Sequence, residues 1–295
     1  MNETTKNTLL RIMSAVVALP VYVLAIVTDQ LQSIPILIVS LIISIACLVE
    51  FYYITDKKDE GGAFFKTGIT IGVLINIIMY LFANSSIYGY SKYIKSFDAK
   101  VIFLILVVFI SALFFLQLFK NQIKGSSYSI SITVFGVVFL VFFFSHIILL
   151  KALNNGLYYI LLLNIVVMLN DTGAYFGGIS LGKHKIGFAV SPNKSWEGYF
   201  SGLMLSVIAA IMTNEVFAVY FGVRLFVLLE ATFIGIMISI LANVGDLCES
   251  LIKRDNDVKD SGTIIPGHGG MWDVFDALIL SMPIFYYYLI LSGVQ

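Results

Sequence analysis

VIFLILVVFISALFFLQLF (101–119) runs for nineteen residues without a charge. It does not alternate apolar with polar positions, as a membrane β-barrel strand does over about ten residues. An apolar stretch of roughly twenty residues is the length that carries an α-helix across a bilayer core. Comparable runs recur at 12–27, 34–54, 69–83, 128–150, 156–170, 198–213, 225–245 and 273–291. Composition points the same way. Of 295 residues, 59% are apolar and 12% are charged, about half the charged share of a soluble domain, and mean hydropathy is +0.95. The fold class expected is an all-α integral membrane protein, a polytopic bundle of about nine transmembrane helices.

The first run invites a signal-peptide reading. Lys6 and Arg11 flank a stretch too long for the apolar segment of such a peptide, and no clear small-residue cleavage site follows, so it is read as a span. Lys+Arg and Asp+Glu both total 18, which rules out a generic polyanion binder and gives no reason to expect a nucleic-acid partner. Cys47 and Cys248 are two thiols in or beside apolar runs, not a disulfide framework.

Cations in short loops set membrane orientation. With the N-terminus inside, 13 of the 18 Lys and Arg residues fall inside; Lys92, Lys95, Lys100, Lys151 and Arg224 fall outside. The cluster at 92–100 runs against the bias. The expected location is multi-pass in the cell (inner) membrane, with the C-terminus outside.

The chain changes character near residue 170, and it is read as N-terminal spans (1–155, about five helices) followed by a C-terminal region (156–295, about four spans) that carries the polar segments. Two long polar segments, about 171–197 and 246–276, hold half of all the acids: Asp171, Glu197, Asp246, Glu249, Asp255, Asp257, Asp260, Asp273 and Asp276. Both segments fall on the inside in this topology. No internal repeat is visible, which counts against the repeat-built transporter folds.

In NDTGAYFGGISLGKHKIGFAVSPNKSWEG (170–198), Asp171 stands where a helix reaches the interface. Gly173, Gly177, Gly178, Gly182 and Gly187 are expected to break the helix and admit backbone amides to a ligand. Lys183, His184, Lys185 and Lys194 add cationic donors. The set suits an anionic, metal-bound ligand such as a polyphosphate; it equally suits a basic loop lying on anionic lipid headgroups.

The segment GDLCESLIKRDNDVKDSGTIIPGHGGMWDVFDAL (245–278) is sharper. If its first helix continues past the interface, Asp246, Glu249, Ser250, Lys253 and Asp257 share one face. Pro266-Gly267-His268-Gly269-Gly270 must be a tight turn, and the next helix opens with Asp273 and Asp276. Carboxylates gathered this way need a cation between them, and oxygen ligands favour Mg²⁺ over zinc. His268 has no second His or Cys at zinc spacing. His146 reads as a buried packing histidine. Among the acids in or near spans, Glu50, Glu215 and Glu230, we single out Glu50 as a functional suspect.

The run Ser250-x2-Lys253-Arg254-x4-Lys259-Asp260-x-Gly262-x3-Pro266-x-His268-Gly269-Gly270-x2-Asp273-x2-Asp276 resembles the signature of the phosphatidate cytidylyltransferases, or CDP-diacylglycerol synthases. Asp171-Thr-Gly-Ala-Tyr-Phe-x-Gly178 and Ser191-Pro-x-Lys194-Ser-Trp196-Glu197-Gly198 resemble further blocks of that family, in the right order. The match is close over roughly 165–280. Two positions depart from it: Val274 stands where the family has Arg, and Asn193 where a second Lys is common.

The resemblance implies that CTP and phosphatidic acid, a membrane lipid, react to give CDP-diacylglycerol and pyrophosphate, with Mg²⁺ as cofactor. It implies a metal centre at Asp246 and Asp273, which can also take a monovalent cation such as K⁺. Lys253, Asp276 and Asp171 complete the expected catalytic set. Ser250, Arg254, Lys259, Lys194, Ser191, His268, Gly269 and Gly270 are expected to contact substrate phosphates. A homodimer and a cytoplasmic active site are implied as well. Two readings compete: a CTP-dependent polyprenol kinase of related architecture, and an ion-coupled transporter, which would place its acids near the bilayer midplane rather than at one interface.

Overall fold

A computed structural model describes residues 20–28, 33–57, 61–84, 99–267 and 269–294. Eight helices among them are long and apolar enough to cross a membrane. They are α1 (Ile34–Ile54), α2 (Phe65–Ala83), α3 (Ala99–Lys120), α4 (Ser126–Ala152), α5 (Gly156–Leu181), α6 (Trp196–Phe221), α7 (Leu228–Asp255) and α8 (Trp272–Leu291). No strand is present among the described residues, only three isolated bridges. The all-α polytopic class is therefore correct. Of the ninth expected span, 12–27, residues 20–27 are helical and the rest lies outside the described residues, as do Lys92 and Lys95.

The chain forms two compact units. The first comprises the described residues of Met1–Ala152 together with Asp260–Val274, and the second Leu153–Lys259 with the described residues of Phe275–Gln295. In the first unit, α1 and α2 are pinned by a buried polar cluster. Ser40 Oγ donates to Asn76 Oδ1 (2.6 Å), and Asn76 Nδ2 donates to Ser44 Oγ (3.1 Å). Hydrocarbon offers these groups no water, so they bond to each other across the helices. Helix α3 presents Phe103, Leu104, Val107, Val108, Phe114 and Phe115 outward, the face a bilayer solvates. Helix α4 includes a π-helical stretch, Val137–Phe142.

In the second unit, α5 and α6 make the most extensive helix pair, and glycines explain it. Gly173 of α5 lies against Gly202 of α6, Gly178 against Gly198 and Gly177 against Ser201, with Gly173/Gly177 and Gly198/Gly202 in small-xxx-small spacing on the two helices. A Cβ at Gly173 would stand 2.9 Å from the Ser201 carbonyl oxygen, and one at Gly202 would stand 2.9 Å from that of Asn170. The backbones approach as closely as glycine allows. This corrects the expectation that Gly173, Gly177 and Gly178 break the helix: α5 runs unbroken to Leu181. A second glycine contact, Gly245 of α7 against the Asp276 carbonyl oxygen at 2.6 Å from a notional Cβ, joins α7 to α8 within this unit.

Candidate active site

Helix α7 continues well past its apolar run, the condition on which the shared face rested, and carries Asp246, Glu249, Ser250, Lys253 and Arg254 in its last turns. Asp257 does not join that face. It sits beyond the helix with φ 56, where the chain turns under the C-terminus through Val258 N–H to the Lys253 carbonyl at 3.0 Å. Helix α8 opens with Asp273 and carries Asp276 three residues later.

Within the second unit, Asp246, Glu249 and Asp276 each offer a carboxylate oxygen, all within 4.8 Å of one another. Two of these acids hold ammonium groups. Lys194 donates to Asp246 Oδ2. Lys253 donates to Glu249 Oε2 at 2.7 Å, and both partners are buried. Asp171 interacts electrostatically with Asp246 and Lys194, and Asp276 with Asp246, Asp171 and Lys253. Four carboxylates thus face two ammonium groups, and a divalent cation would balance the set. The all-oxygen donors and their spacing fit a hard cation such as Mg²⁺.

Asparagine 170 braces this site from beneath. Its Oδ1 accepts from Ser239 Oγ (2.7 Å), Ser206 Oγ (3.2 Å) and Asn243 Nδ2 (3.3 Å), and its Nδ2 donates to Asp171 Oδ1 (3.2 Å). One fully buried amide thereby ties α5, α6 and α7 together next to Asp171. Sequence reading gave Asn170 no role, since its partners lie 36 to 73 residues away.

Lys194 is delivered by the folded loop between α5 and α6. Ile186 N–H donates to the Lys194 carbonyl (3.0 Å) and Trp196 N–H to that of His184 (2.9 Å). His184 Nδ1 lies 2.5 Å from Glu197 Oε1, and Ser195 caps α6 by accepting from Gly198 N–H at 3.2 Å, the usual work of an N-cap serine. Ser191 shapes the turn before Lys194, its carbonyl accepting the Lys194 N–H at 3.2 Å. Beside this loop an open groove of about 690 Å³ has an apolar wall of Leu181, Trp196, Phe200 and Met204 and a polar rim of His184, Lys185 and Glu197.

The other expected residues divide as follows. Ser250 is half-buried on α7; Arg254 is exposed and donates to the Val258 carbonyl at 2.9 Å; Lys259 is exposed. In the first unit, Asp273 Oδ2 accepts from Gly270 N–H (2.6 Å) and Ser261 N–H (2.8 Å), and the Ser261 hydroxyl oxygen lies 3.0 Å from it. Gly267 and Gly269 adopt φ 82 and 100, and Ile265 and Gly269 pair across the Pro266-Gly267 turn, as the sequence required. A Cβ at Gly269 would stand 2.5 Å from Asp273 Oδ2. His268 lies outside the described residues. Ser261, which carried no signal in the sequence, is the loop's organising side chain.

Fold and site together define a polytopic α-helical membrane protein with an acidic, lysine-paired centre built on glycine-packed helices. The chain belongs to the cytidylyltransferase family, whose model matches residues 9–292. It is similar to a phosphatidate cytidylyltransferase of Staphylococcus haemolyticus (strain JCSC1435), 46% identical over 131 residues that cover 44% of this chain and 48% of that protein. A phosphatidate cytidylyltransferase of Staphylococcus saprophyticus subsp. saprophyticus is 43% identical over 136 residues, covering 46% and 50%. One from Staphylococcus aureus (strain COL) is 39% identical over 154 residues, covering 52% and 55%. The chain spans about half the length of the curated relatives it matches.

Proposed function

We propose that this protein transfers the cytidylyl group of CTP to phosphatidic acid, giving CDP-diacylglycerol and pyrophosphate for phospholipid synthesis. The observation that carries the reading is the cluster of Asp246, Glu249 and Asp276 with Lys194 and Lys253 bonded into it. Family membership and the names of the relatives support it.

In this reading a phosphate oxygen of the lipid attacks the α-phosphorus of CTP. A new P–O–P linkage forms, the bond between the α-phosphorus and its bridging oxygen breaks, and pyrophosphate departs with the electron pair. The lipid phosphate is already anionic, so the protein needs no general base; its work is positioning and charge neutralisation. Asp246, Glu249 and Asp276 would hold Mg²⁺, alone or with K⁺, and the bound ion would supply charge neutralisation at the triphosphate; Asp273, in the first unit, is a further cation-binding carboxylate. Lys194 and Lys253 exchange their carboxylate partners for phosphate oxygens. Arg254, Lys259 and Ser250 line the phosphate path, Ser191 sets the turn that aims Lys194, and Asp171 orients the centre. The groove beside Trp196 and Phe200 accommodates acyl chains. The site faces the cytoplasm in the cell membrane, and the protein works as a homodimer.

The test is incubation of the purified protein with labelled CTP, phosphatidic acid and Mg²⁺. Labelled CDP-diacylglycerol is expected, and Asp246→Asn should abolish it while leaving an inserted, folded protein. No labelled lipid from phosphatidic acid but transfer of γ-labelled phosphate from CTP to an added polyprenol, or full turnover by Asp246→Asn at limiting Mg²⁺, would overturn the reading.

A further inference from the structure

We propose that Glu50 is a positioning residue, which fixes the 261–272 loop and, through it, the carboxylate of Asp273. Glu50 lies on α1, 211 residues before Ser261, and is 4% exposed. Its Oε1 accepts from Met271 N–H at 2.7 Å. Its Oε2 accepts from Trp272 N–H at 3.0 Å and from Ser261 Oγ at 2.7 Å. The two amides stand at the start of α8, where N–H groups lack partners within their own helix. A buried carboxylate in a span is costly, and this one is compensated by donors drawn from both ends of the loop.

The glycines of the loop are shaped around the same group. A Cβ at Gly270 would meet Glu50 Oε2 at 2.4 Å, and one at Gly262 would meet Oε1 at 2.8 Å. The Glu50 carboxylate therefore fills the space that loop side chains would otherwise take. Ser261 links it to Asp273: the same hydroxyl lies 3.0 Å from Asp273 Oδ2, which also takes the Ser261 and Gly270 amides. The line of contact runs Glu50, Ser261, Asp273, entirely within one compact unit. Glu50 touches no substrate in this scheme. It acts by deciding where Asp273 points, and the inference rests on the reading of Asp273 as a cation-binding carboxylate.

Glu50→Gln keeps the shape but turns one acceptor into a donor facing other donors; Glu50→Asp keeps both acceptors on a shorter stem. Trp272 is fully buried and meets Phe51 edge-on at 5.7 Å, so it reports on the loop once the other tryptophan is replaced by Trp196→Phe. In that background Glu50→Gln should red-shift Trp272 emission and increase its quenching by acrylamide, with partial recovery in Glu50→Asp. In the otherwise native protein Glu50→Gln should raise the Mg²⁺ needed for half-maximal activity about tenfold, the scale seen when a ligand's support is removed. The apparent KM for CTP should move far less. Ser261→Ala, which removes only the link, should shift the Mg²⁺ titration in the same direction by a smaller factor, and it serves in place of Glu50→Gln if that variant fails to fold. Unchanged Trp272 quenching, or lost activity with an unmoved Mg²⁺ midpoint, would overturn the proposal. A wild-type protein that makes no CDP-lipid would end the functional reading, while the fluorescence comparison would still report whether Glu50 holds the loop.

Discussion

Lys194 and Asp246, 52 residues apart, are bonded through the lysine ammonium and Asp246 Oδ2. Their side chains are 26% and 40% exposed. An ion pair this open to solvent is worth only about 0–1 kcal/mol, so an arriving cation displaces it at little cost. In the proposed reaction the lysine occupies the acid until a metal and a phosphate replace its contacts.

Lys194→Gln should therefore move two constants in opposite directions. Removing the competing ammonium lowers the Mg²⁺ concentration for half-maximal activity. Removing the phosphate clamp raises the apparent KM for CTP by about tenfold or more, since a charge-assisted contact is worth ~1.5–3 kcal/mol. Crossed titrations of Mg²⁺ and CTP measure both, and movement of both constants in the same direction would refute the exchange.

The α5–α6 contact makes a sharper stability claim. Gly202→Val should cost about 1–3 kcal/mol through overpacking, because its Cβ would meet the Asn170 carbonyl at 2.9 Å. Gly178→Ala is the control on the same helix pair: its Cβ would find nothing closer than Ser195 Oγ at 3.7 Å. Thermal unfolding in detergent should drop for the first variant and hold or rise for the second.

Val274 occupies the position where the related enzymes' pattern has Arg, and it is 42% exposed. An arginine there has room to extend without repacking the helix. Val274→Arg should lower the Mg²⁺ requirement or the apparent KM for CTP while activity is retained. Unchanged titrations in a well-folded variant would mean that position 274 does not face the phosphates.

A single cytoplasmic site requires both polar segments on one membrane face. In a background of Cys47→Ala and Cys248→Ala, Lys185→Cys and Ile264→Cys should react with an impermeant maleimide only from the cytoplasmic side. Ile264 suits this test because it is 54% exposed, whereas a side chain at Gly262 would strike Glu50. Labelling from opposite faces would divide the two segments.

The spans were legible because bilayer thickness imposes a length on apolar runs: 34–54 and 273–291 fall within a residue of α1 and α8. The ends of α5, α6 and α7 were not, since each helix carries on through polar residues that hydropathy counts as loop. Glycine misled for a related reason. Gly173 and Gly178 look like breaks until Gly202 and Gly198 are known to lie against them, and that pairing is tertiary information. The grouping of Asp246, Glu249 and Asp276 was partly visible as helical spacing. Lys194 on Asp246 and Ser261 on Glu50 depend on chain segments meeting across 52 and 211 residues, which no local pattern encodes.

Helix α7 has 28 residues and at 1.5 Å per residue is about 42 Å long, against a hydrocarbon layer of about 30 Å. Its acidic final turns have length to spare beyond the acyl region. On the proposed activity, a protein whose reacting groups ride on that overhang meets one substrate by lateral diffusion in two dimensions and the other from bulk water. Its rate should then follow the mole fraction of phosphatidic acid in the surface, and dilution with inert lipid at fixed bulk concentration should slow it.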